Sequence, residues 1–346
     1  MNPNWKTFLE QQSTITGNAD QVAAETATIA SDCALMELSG FSLIAIRGED
    51  RDSFLQGQLT NDIRELSDTH TQLSGRCSPK GRMLANFRVL RRDNCILLQL
   101  PGEKLEEILK RLRMFVLRSK VEITDASDEL IRIGIAGDCA AELLAATFAE
   151  LPERDNDMTR TGELNAIRMA GSTPRFEVIG PLQPIMALWQ TLSTTARIVN
   201  SGLWALLDIR AGIPTVYAAT TDAFVPQMAN MQLIDGVSFT KGCYTGQEVV
   251  ARMKYLGKLK RRMYLTQVDS DIVPRPGDEL HSDASKSSQA SGRIVDAKPV
   301  GNGRYEMLAV IEIEAAENGQ VRLGANGPIL SVEAPPYGFD EETALR

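Results

Sequence analysis

Lys241-Gly242-Cys243-Tyr244-Thr245-Gly246-Gln247-Glu248 sets one cysteine between two glycines and runs on into a basic stretch. Glycine tolerates backbone angles and close approaches that a Cβ would block, so Gly242 and Gly246 predict a turn that presents Cys243. Lys241 beside the thiol, with Arg252 and Lys254 shortly after, would favour the thiolate, the form that attacks electrophiles and binds soft metals. The competing reading is a packed side chain, because free cysteine is among the most buried residue types. On the residues alone both readings stand.

Outward from the octapeptide, composition narrows the choices. A chain of 346 residues, 43% of them hydrophobic, exceeds the ~250–300 residues at which single cores usually split, which predicts two or three domains. Its cysteines, Cys33, Cys77, Cys95, Cys139 and Cys243, are odd in number, widely spaced and without a CxxC pair. That pattern argues against a disulfide framework and against a self-contained zinc or cluster site, and it predicts a reducing, cytoplasmic setting. No apolar run approaches the ~18 residues of a membrane span, and the start MNPNWKTFLEQQ lacks a basic region followed by an apolar one. With His70 and His281 as the only histidines, histidine metal sites and Ser-His or Cys-His catalysis have little to work with, and no metal is expected.

The net charge of −8 would repel nucleic acid at long range, yet the cations cluster. Arg76, Lys80, Arg82, Arg88, Arg91 and Arg92 form one run without an acid, and Arg252, Lys254, Lys258, Lys260, Arg261 and Arg262 form another. Each run is either a solvated face or part of a surface for an anionic partner.

Along the chain, residues 1–30 are polar and Ala/Thr/Gln-rich and read as a peripheral segment with one amphipathic turn around Trp5, Phe8 and Leu9. Leu43 to Arg47 reads as a strand, followed by a helix carrying Phe54, Leu55 and Leu59 on one side. Met83 to Leu90 alternates with period two, Asp93-Asn94 turns, and Cys95 to Leu100 returns, which predicts a β-hairpin. Leu105, Ile108, Leu109, Leu112 and Phe115 then follow helical spacing. A second β/α unit begins near residue 130, with a strand at Leu130 to Ala136, an Ala-rich helix from Cys139 to Leu151, a strand at Arg175 to Ile179 and a helix at Leu182 to Leu192. Ala205 to Ala211 is helical by pattern and is stopped by Gly212 and Pro214. Beyond Met263, short strands between Gly, Pro and Ser clusters predict a small all-β domain of barrel type.

LQGQLTNDI (55–63), CSPKGRMLANFRVLR (77–91), MFVLRSKVEI (114–123), DIRAGIP (208–214), FVPQMANMQ (224–232), KGCYTGQEVVARMKYLGK (241–258) and PPYGFDEE (335–342) together make the chain one that resembles the YgfZ family. These are bacterial folate-binding proteins related to the T-protein of the glycine cleavage system and involved in iron–sulfur protein maintenance and tRNA modification. The resemblance spans most of the chain, and KGCYTGQE is its most specific part. It implies an α+β, T-protein-like three-domain cloverleaf: a discontinuous folate-binding first domain (30–129 with 205–261), an inserted α+β domain (130–204) and a C-terminal β-barrel (262–346).

The resemblance also implies a central site for tetrahydrofolate or a derivative, with Phe41 and Trp204 as the aromatic walls, a surface suited to a flat pterin. Family members often carry Trp at the position of Phe41, so the indole donor is missing here. The aminomethyltransferase relatives place a Glu where this chain has Arg210 and an acidic pair where it has Ala85 and Asn86. Arginine only donates and asparagine does not titrate, which implies a transferase-like fold that has lost glycine-cleavage chemistry. Gln227 and Asn230 are expected to offer donor and acceptor groups to the pterin, with Gln56, Gln58, Thr60 and Asn61 as further candidates. Lys241, Arg252, Lys254 and Lys258 are expected to form a basic rim around the candidate functional thiol Cys243.

The function so implied is support for assembly or repair of iron–sulfur clusters in client enzymes, including those that modify tRNA. Expected partners are folate and iron–sulfur client or assembly proteins, with an indirect link to tRNA and no membrane. A cluster generally takes about four cysteine ligands, so Cys243 would act with a partner as a transient ligand or redox nucleophile. Two other readings are a folate-dependent one-carbon transferase and a direct tRNA-binding module using the two basic runs.

Overall fold

Ile131, Ile133 and Ile135 alternate with Arg132, Gly134 and Ala136, and a strand with that pattern has one apolar and one polar face. The fold of the first half grows around it. The structure is a computed structural model that describes residues 1–12, 32–255, 257, 259–285 and 290–339. The chain divides into two discontinuous compact units, Met1–Arg51 with Leu66–Thr71 and Val89–Leu207, and Asp52–Glu65 with Gln72–Arg88 and Asp208–Arg346.

In chain order the elements begin with α1 (Pro3–Gln11), β1 (Ala34–Glu37), β2 (Phe41–Arg47), α2 (Arg51–Gln56), β3 (Gln72–Cys77), β4 (Met83–Arg92) and β5 (Cys95–Pro101). They continue with α3 (Leu105–Arg113), β6 (Glu122–Asp125), β7 (Ile131–Ala136), α4 (Ala140–Ala145), β8 (Met158–Thr161), β9 (Leu164–Arg168), β10 (Arg175–Gly180), α5 (Leu182–Leu192), β11 (Arg197–Ile198) and α6 (Gly202–Arg210). After a loop-rich stretch come α7 (Gln247–Tyr255), β12 (Arg261–Asp269), β13 (Glu279–Ser282), β14 (Gly292–Gly301), β15 (Arg304–Glu312), α8 (Ile313–Asn318), β16 (Val321–Leu323) and β17 (Ser331–Glu333).

In the first unit a six-stranded sheet has the order β11-β1-β7-β10-β9-β8. Its apolar face buries Leu35, Ile133, Ile135, Phe176 and Val178 against α1, α4 and α5. The opposite face carries Arg132 and Gly134 on β7, aligned with Ile179 and Glu177 on β10. Glu177 accepts two hydrogen bonds from Gln99 Nε2, at 2.9 and 3.1 Å. Burial draws the Arg132 guanidinium down to about 10, with Glu177, Glu37 and Asp125 pulling the other way.

Two expectations change in this unit. The described part of the N-terminal segment is core: Asn2 caps α1 by accepting from the Asn4 and Trp5 amides. Trp5 then stacks on Phe8 and meets Trp189 edge-on, both at 5.4 Å between ring centres. Residues 13–31 lie outside the described residues. Cys33 and Cys139, 106 positions apart, form a disulfide, which even spacing arguments could not anticipate because the pairing depends on β1 lying beside β7.

In the first unit β5, β2 and β6 are neighbouring strands in the order β5-β2-β6. Within the first unit β2 pairs antiparallel with β5 from Phe41–Pro101 to Arg47–Cys95, and α3 follows the hairpin as its spacing predicts.

In the second unit the strands beyond Arg261 form a six-stranded sheet, β16-β13-β14-β15-β12-β17. This corrects the expected C-terminal β-barrel: the sheet is an open, curled half-barrel. Its long central strands β12 and β15 pair over nine positions, from Arg261–Glu312 to Asp269–Arg304, and register shifts at Ile294/Asp296 and Pro299/Gly301 bend β14. The edge strands β16 and β17 are three residues each, and the chain between them makes isolated bridges, Leu280–Gly324 and Arg322–Ile329, and no continuous ladder. Pro328 has no N–H to extend a ladder there. The fold class is therefore α+β, with discontinuous units and an unclosed final sheet.

Candidate functional site

The octapeptide is held by residues of the same unit that lie far away in sequence. Lys241 is buried, and its Nζ donates to three backbone carbonyls, Gln56 O at 2.8 Å, Leu59 O at 2.6 Å and Asn61 O at 2.8 Å. These are orphan acceptors at and just after the end of α2, where the helix no longer supplies partners. Burial draws the Lys241 ammonium down to about 8 against the attraction of Asp62, so at neutral pH it still carries three donors for three acceptors. Thr60 Oγ1 donates to Gly236 O at 2.7 Å and Asn61 Nδ2 to Asp235 O at 2.6 Å. Thr60 and Asn61 thus brace the approach to the octapeptide, and Lys241 is its anchor instead of a rim cation.

The two glycines differ. Gly246 sits at φ +83°, and a Cβ there would lie 2.4 Å from Ser78 O, 2.9 Å from Gly81 Cα and 3.1 Å from Cys77 Cβ. Gly81 mirrors it at φ +69°, its would-be Cβ 2.7 Å from Val249 Cβ. The β3–β4 turn and the octapeptide therefore pack backbone to backbone. Gly242 has open space around its Cα. Between them Cys243 is an exposed free thiol, whereas Cys77 and Cys95 are buried. Burial pushes the Cys77 thiol up to about 12 and also raises Cys95, so neither offers a thiolate near neutral pH. Tyr244 packs inward, its phenol raised by burial, with Lys241 Nζ 5.1 Å from its ring centre.

Of the other expected rim cations, Arg252 is exposed on α7. Lys254 lies with Nζ 3.8 Å above the Phe239 ring centre, and Lys258 lies outside the described residues. Half of the first basic run is internal: Arg76, Arg88 and Arg92 are 4%, 6% and 9% exposed, positions from which a guanidinium does not meet phosphate, while Lys80 is exposed and Arg82 and Arg91 are half-buried.

The residues expected to hold folate are found in different settings. Trp204 is 1% exposed; Arg175 lies 4.9 Å from its ring centre, and a Cβ on Gly134 would come within 2.6 Å of its Cε3 and Cζ3. Its ring is already covered, so a pterin has no face of Trp204 to stack on in this conformation. Phe41 is half-buried at the start of β2, and its carbonyl accepts from Arg132 Nη2. Asn230 uses both ends of its amide, donating to Met263 O at 2.8 Å and accepting from Met263 N at 3.3 Å. Gln227 Nε2 donates to Val250 O at 2.6 Å, leaving its buried Oε1 without a partner among the described residues. Asn86 likewise brackets the backbone, donating to Pro214 O and accepting from Val216 N.

Arg210 makes a two-pronged pair with Glu306, Nε to Oε2 at 2.7 Å and Nη2 to Oε1 at 2.8 Å. The pair lines a cleft of about 250 Å³ with Thr266, Gln267, Ser331 and Glu333. Glu306, Gly81 and Asp222, which accepts from Ser78 Oγ at 2.7 Å, were not among the expected site residues. A glycine in the CSPKGR turn was the one available hint; Glu306 on a strand gives none. Among the described residues no group of three or more His, Cys, Asp or Glu is placed to hold a metal, and no helix is long and apolar enough to cross a membrane.

Asp62 ties the α2 segment together. Its carboxylate accepts from Arg64 Nε at 2.9 Å and Gln56 Nε2 at 3.0 Å, and the Arg64 hydrogen bond holds its pKa well below the usual carboxylate range despite burial. A depressed pKa stabilises the folded state above the unfolded value and loses that contribution as pH falls through it. Asp62→Asn is expected to cost about 2 kcal/mol at pH 7, with the gap to wild type closing below about pH 3 in denaturant titrations at stepped pH.

Comparison with known proteins places this geometry. Residues 5–236 match the family described as the GCVT N-terminal domain. The crystal structure of glycine cleavage system aminomethyltransferase T from Bartonella henselae superposes with a TM-score of 0.71 at 16% identity, covering 91% of this chain and 89% of that one. The class is thus an aminomethyltransferase-T-like fold. The tRNA-modifying protein YgfZ of Yersinia pseudotuberculosis is 32% identical over 309 residues, 89% of this chain and 93% of that protein. That of Yersinia enterocolitica is 31% identical over the same shares. The chain belongs to the YgfZ family.

Proposed function

We propose that this protein binds a reduced folate and uses Cys243 to support assembly or repair of iron–sulfur clusters in client enzymes, among them enzymes that modify tRNA. The observation that carries the thiol role is the contrast among free cysteines: Cys243 is exposed on an anchored loop while Cys77 and Cys95 are buried. A single thiolate completes a cluster only together with ligands from another protein, which makes the reaction a shared one. The tRNA link is supported by the names of the relatives.

For folate, the cleft beside Arg210 fits better than the face of Trp204. A pterin edge presents N–H donors next to a carbonyl acceptor. Glu306 and Glu333 accept, Arg210 donates, and a carboxylate bound twice by arginine keeps lone pairs for further donors. When bound, a reduced folate would supply one-carbon or reducing chemistry; the residues of this cleft bind and orient its pterin edge.

The transferase reading is weaker, because Asn86 is held by backbone contacts and does not titrate, and Arg210 carries a fixed positive charge paired with Glu306, so neither of these side chains moves a proton. The direct tRNA reading loses three of the six cations of its first basic run, Arg76, Arg88 and Arg92, to burial.

Cys243→Ser tests the proposal. Calorimetric titration with tetrahydrofolate is expected to match wild type, while a strain lacking the native protein and carrying the variant should lose cluster-dependent tRNA thiolation at least tenfold. Full activity of the variant would remove the thiol role, and a flat calorimetric titration of the wild type would remove the folate role.

A further inference from the structure

Leu109 to Lys120 reads LKRLRMFVLRSK, with five cations and no acid, in a chain of net charge −8. It spans the end of α3 and the loop beyond. Met114, Phe115 and Leu117 are 67%, 46% and 88% exposed, three large apolar side chains within four residues. A turn closed by Ser119 N donating to Val116 O at 2.8 Å holds Leu117 at φ +45°. A branched side chain adopts that backbone at a cost glycine would avoid, and nothing in the described chain covers Leu117 in return.

Beside this tip runs an open groove of about 530 Å³, lined by Glu106, Leu109, Lys110, Arg113 and Met114. The first four are spaced i, i+3, i+4 and i+7, one face of α3. Most of the local cations are committed: Arg113 donates to Ile123 O at 2.8 and 3.0 Å, Arg111 pairs with Glu107 at 2.9 Å, and Lys120 pairs with Glu49 at 2.7 Å. Lys110, on the groove, and Arg118, next to Leu117, have no side-chain partner among the described residues.

We propose that the tip and groove form a docking surface for an acidic segment of a partner protein. The segment seats an apolar side chain in the groove, covers Leu117 and places carboxylates against Lys110 and Arg118. Charge complementarity selects the acidic partner, since the two cations without a partner among the described residues, Lys110 and Arg118, outnumber the one acid on the groove, Glu106, and the exposed Met114, Phe115 and Leu117 between them give the apolar centre of a protein interface. The groove favours protein over an anionic bilayer, since a bilayer surface has no side chain to fill a concavity.

The test places p-benzoylphenylalanine at position 117 of the full chain and, as a control, at the equally solvent-facing Ile272, which is 74% exposed. After irradiation in cells, position 117 is expected to yield one discrete protein adduct whose cross-linked peptide, mapped by mass spectrometry, has Asp or Glu flanking apolar residues. The double variant Lys110→Glu, Arg118→Glu should reduce that adduct at least tenfold with an unchanged melting temperature. A synthetic copy of the mapped peptide should lose at least tenfold in affinity for Leu117→Gly, which removes the side chain and relaxes the backbone. An adduct unaffected by charge reversal, an adduct with a second copy of the chain, cross-linking to lipid alone, or no adduct above the Ile272 control each overturns the proposal.

Discussion

Gly246→Ala is expected to cost the second unit about 4 kcal/mol, a fall in melting temperature of about 10 °C, whereas Gly242→Ala stays within about 0.5 kcal/mol of wild type. The cost at Gly246 has two parts. An L-residue at φ +83° is strained by about 1–2 kcal/mol. The added Cβ also meets Ser78 O at 2.4 Å and Gly81 Cα at 2.9 Å, and both are backbone atoms of a turn that cannot swing aside as a side-chain tip would. Relief requires the β3–β4 turn to back away from the octapeptide, which opens the contact made by Gly81 and exposes Cys77 beneath it. Thermal unfolding followed by circular dichroism measures the first effect, and alkylation of Cys77 against Cys243 measures the second. Equal melting temperatures for the two alanine variants would mean that the backbone-to-backbone contact does not hold the loop.

That asymmetry marks where sequence reading stops. Two glycines around Cys243 announce a turn, but which of them is indispensable depends on Ser78 and Gly81, more than 160 positions earlier, and no local rule reaches so far. The elements legible from pattern were those with a long, clean period: β2, β4, β5, β7, β10, α3 and α5. Strands such as β6 (EITD) and β8 (MTRT) are short and polar, stabilised by neighbours already in place and not by an alternation of their own. The barrel expectation failed for a related reason: counting strands says how many there are, while closure depends on whether the two edge strands are long enough to pair. The candidate site divides the same way. Cys243 was legible as a cysteine on a glycine-flanked turn, but presented and packed readings stood equal until the fold showed the thiol exposed. Arg210 was legible as a departure from its relatives, but its partner Glu306 was not, being 96 positions away on β15.

Lys241→Met is expected to cost about 3–5 kcal/mol, comparable to breaking a buried ion contact by deleting one partner. Methionine matches the length of lysine and its apolar stem, so the loss isolates the ammonium. Gln56 O, Leu59 O and Asn61 O would then face one another around a side chain with nothing to donate, at a point where helix α2 has no further N–H groups to offer. Lys241→Arg should recover only part of the loss, because a planar guanidinium cannot aim three donors at acceptors converging on one point. Hydrogen exchange should localise the damage, with faster exchange at residues 56–61 and 241–246 and little change in the β12–β15 ladder. If Lys241 instead served mainly to charge the surroundings of Cys243, Lys241→Met would keep its melting temperature and change only the rate of Cys243 alkylation. The two roles leave opposite signatures, and the anchoring one predicts that the thiol becomes less well positioned because its loop has lost the contact that fixes where it starts.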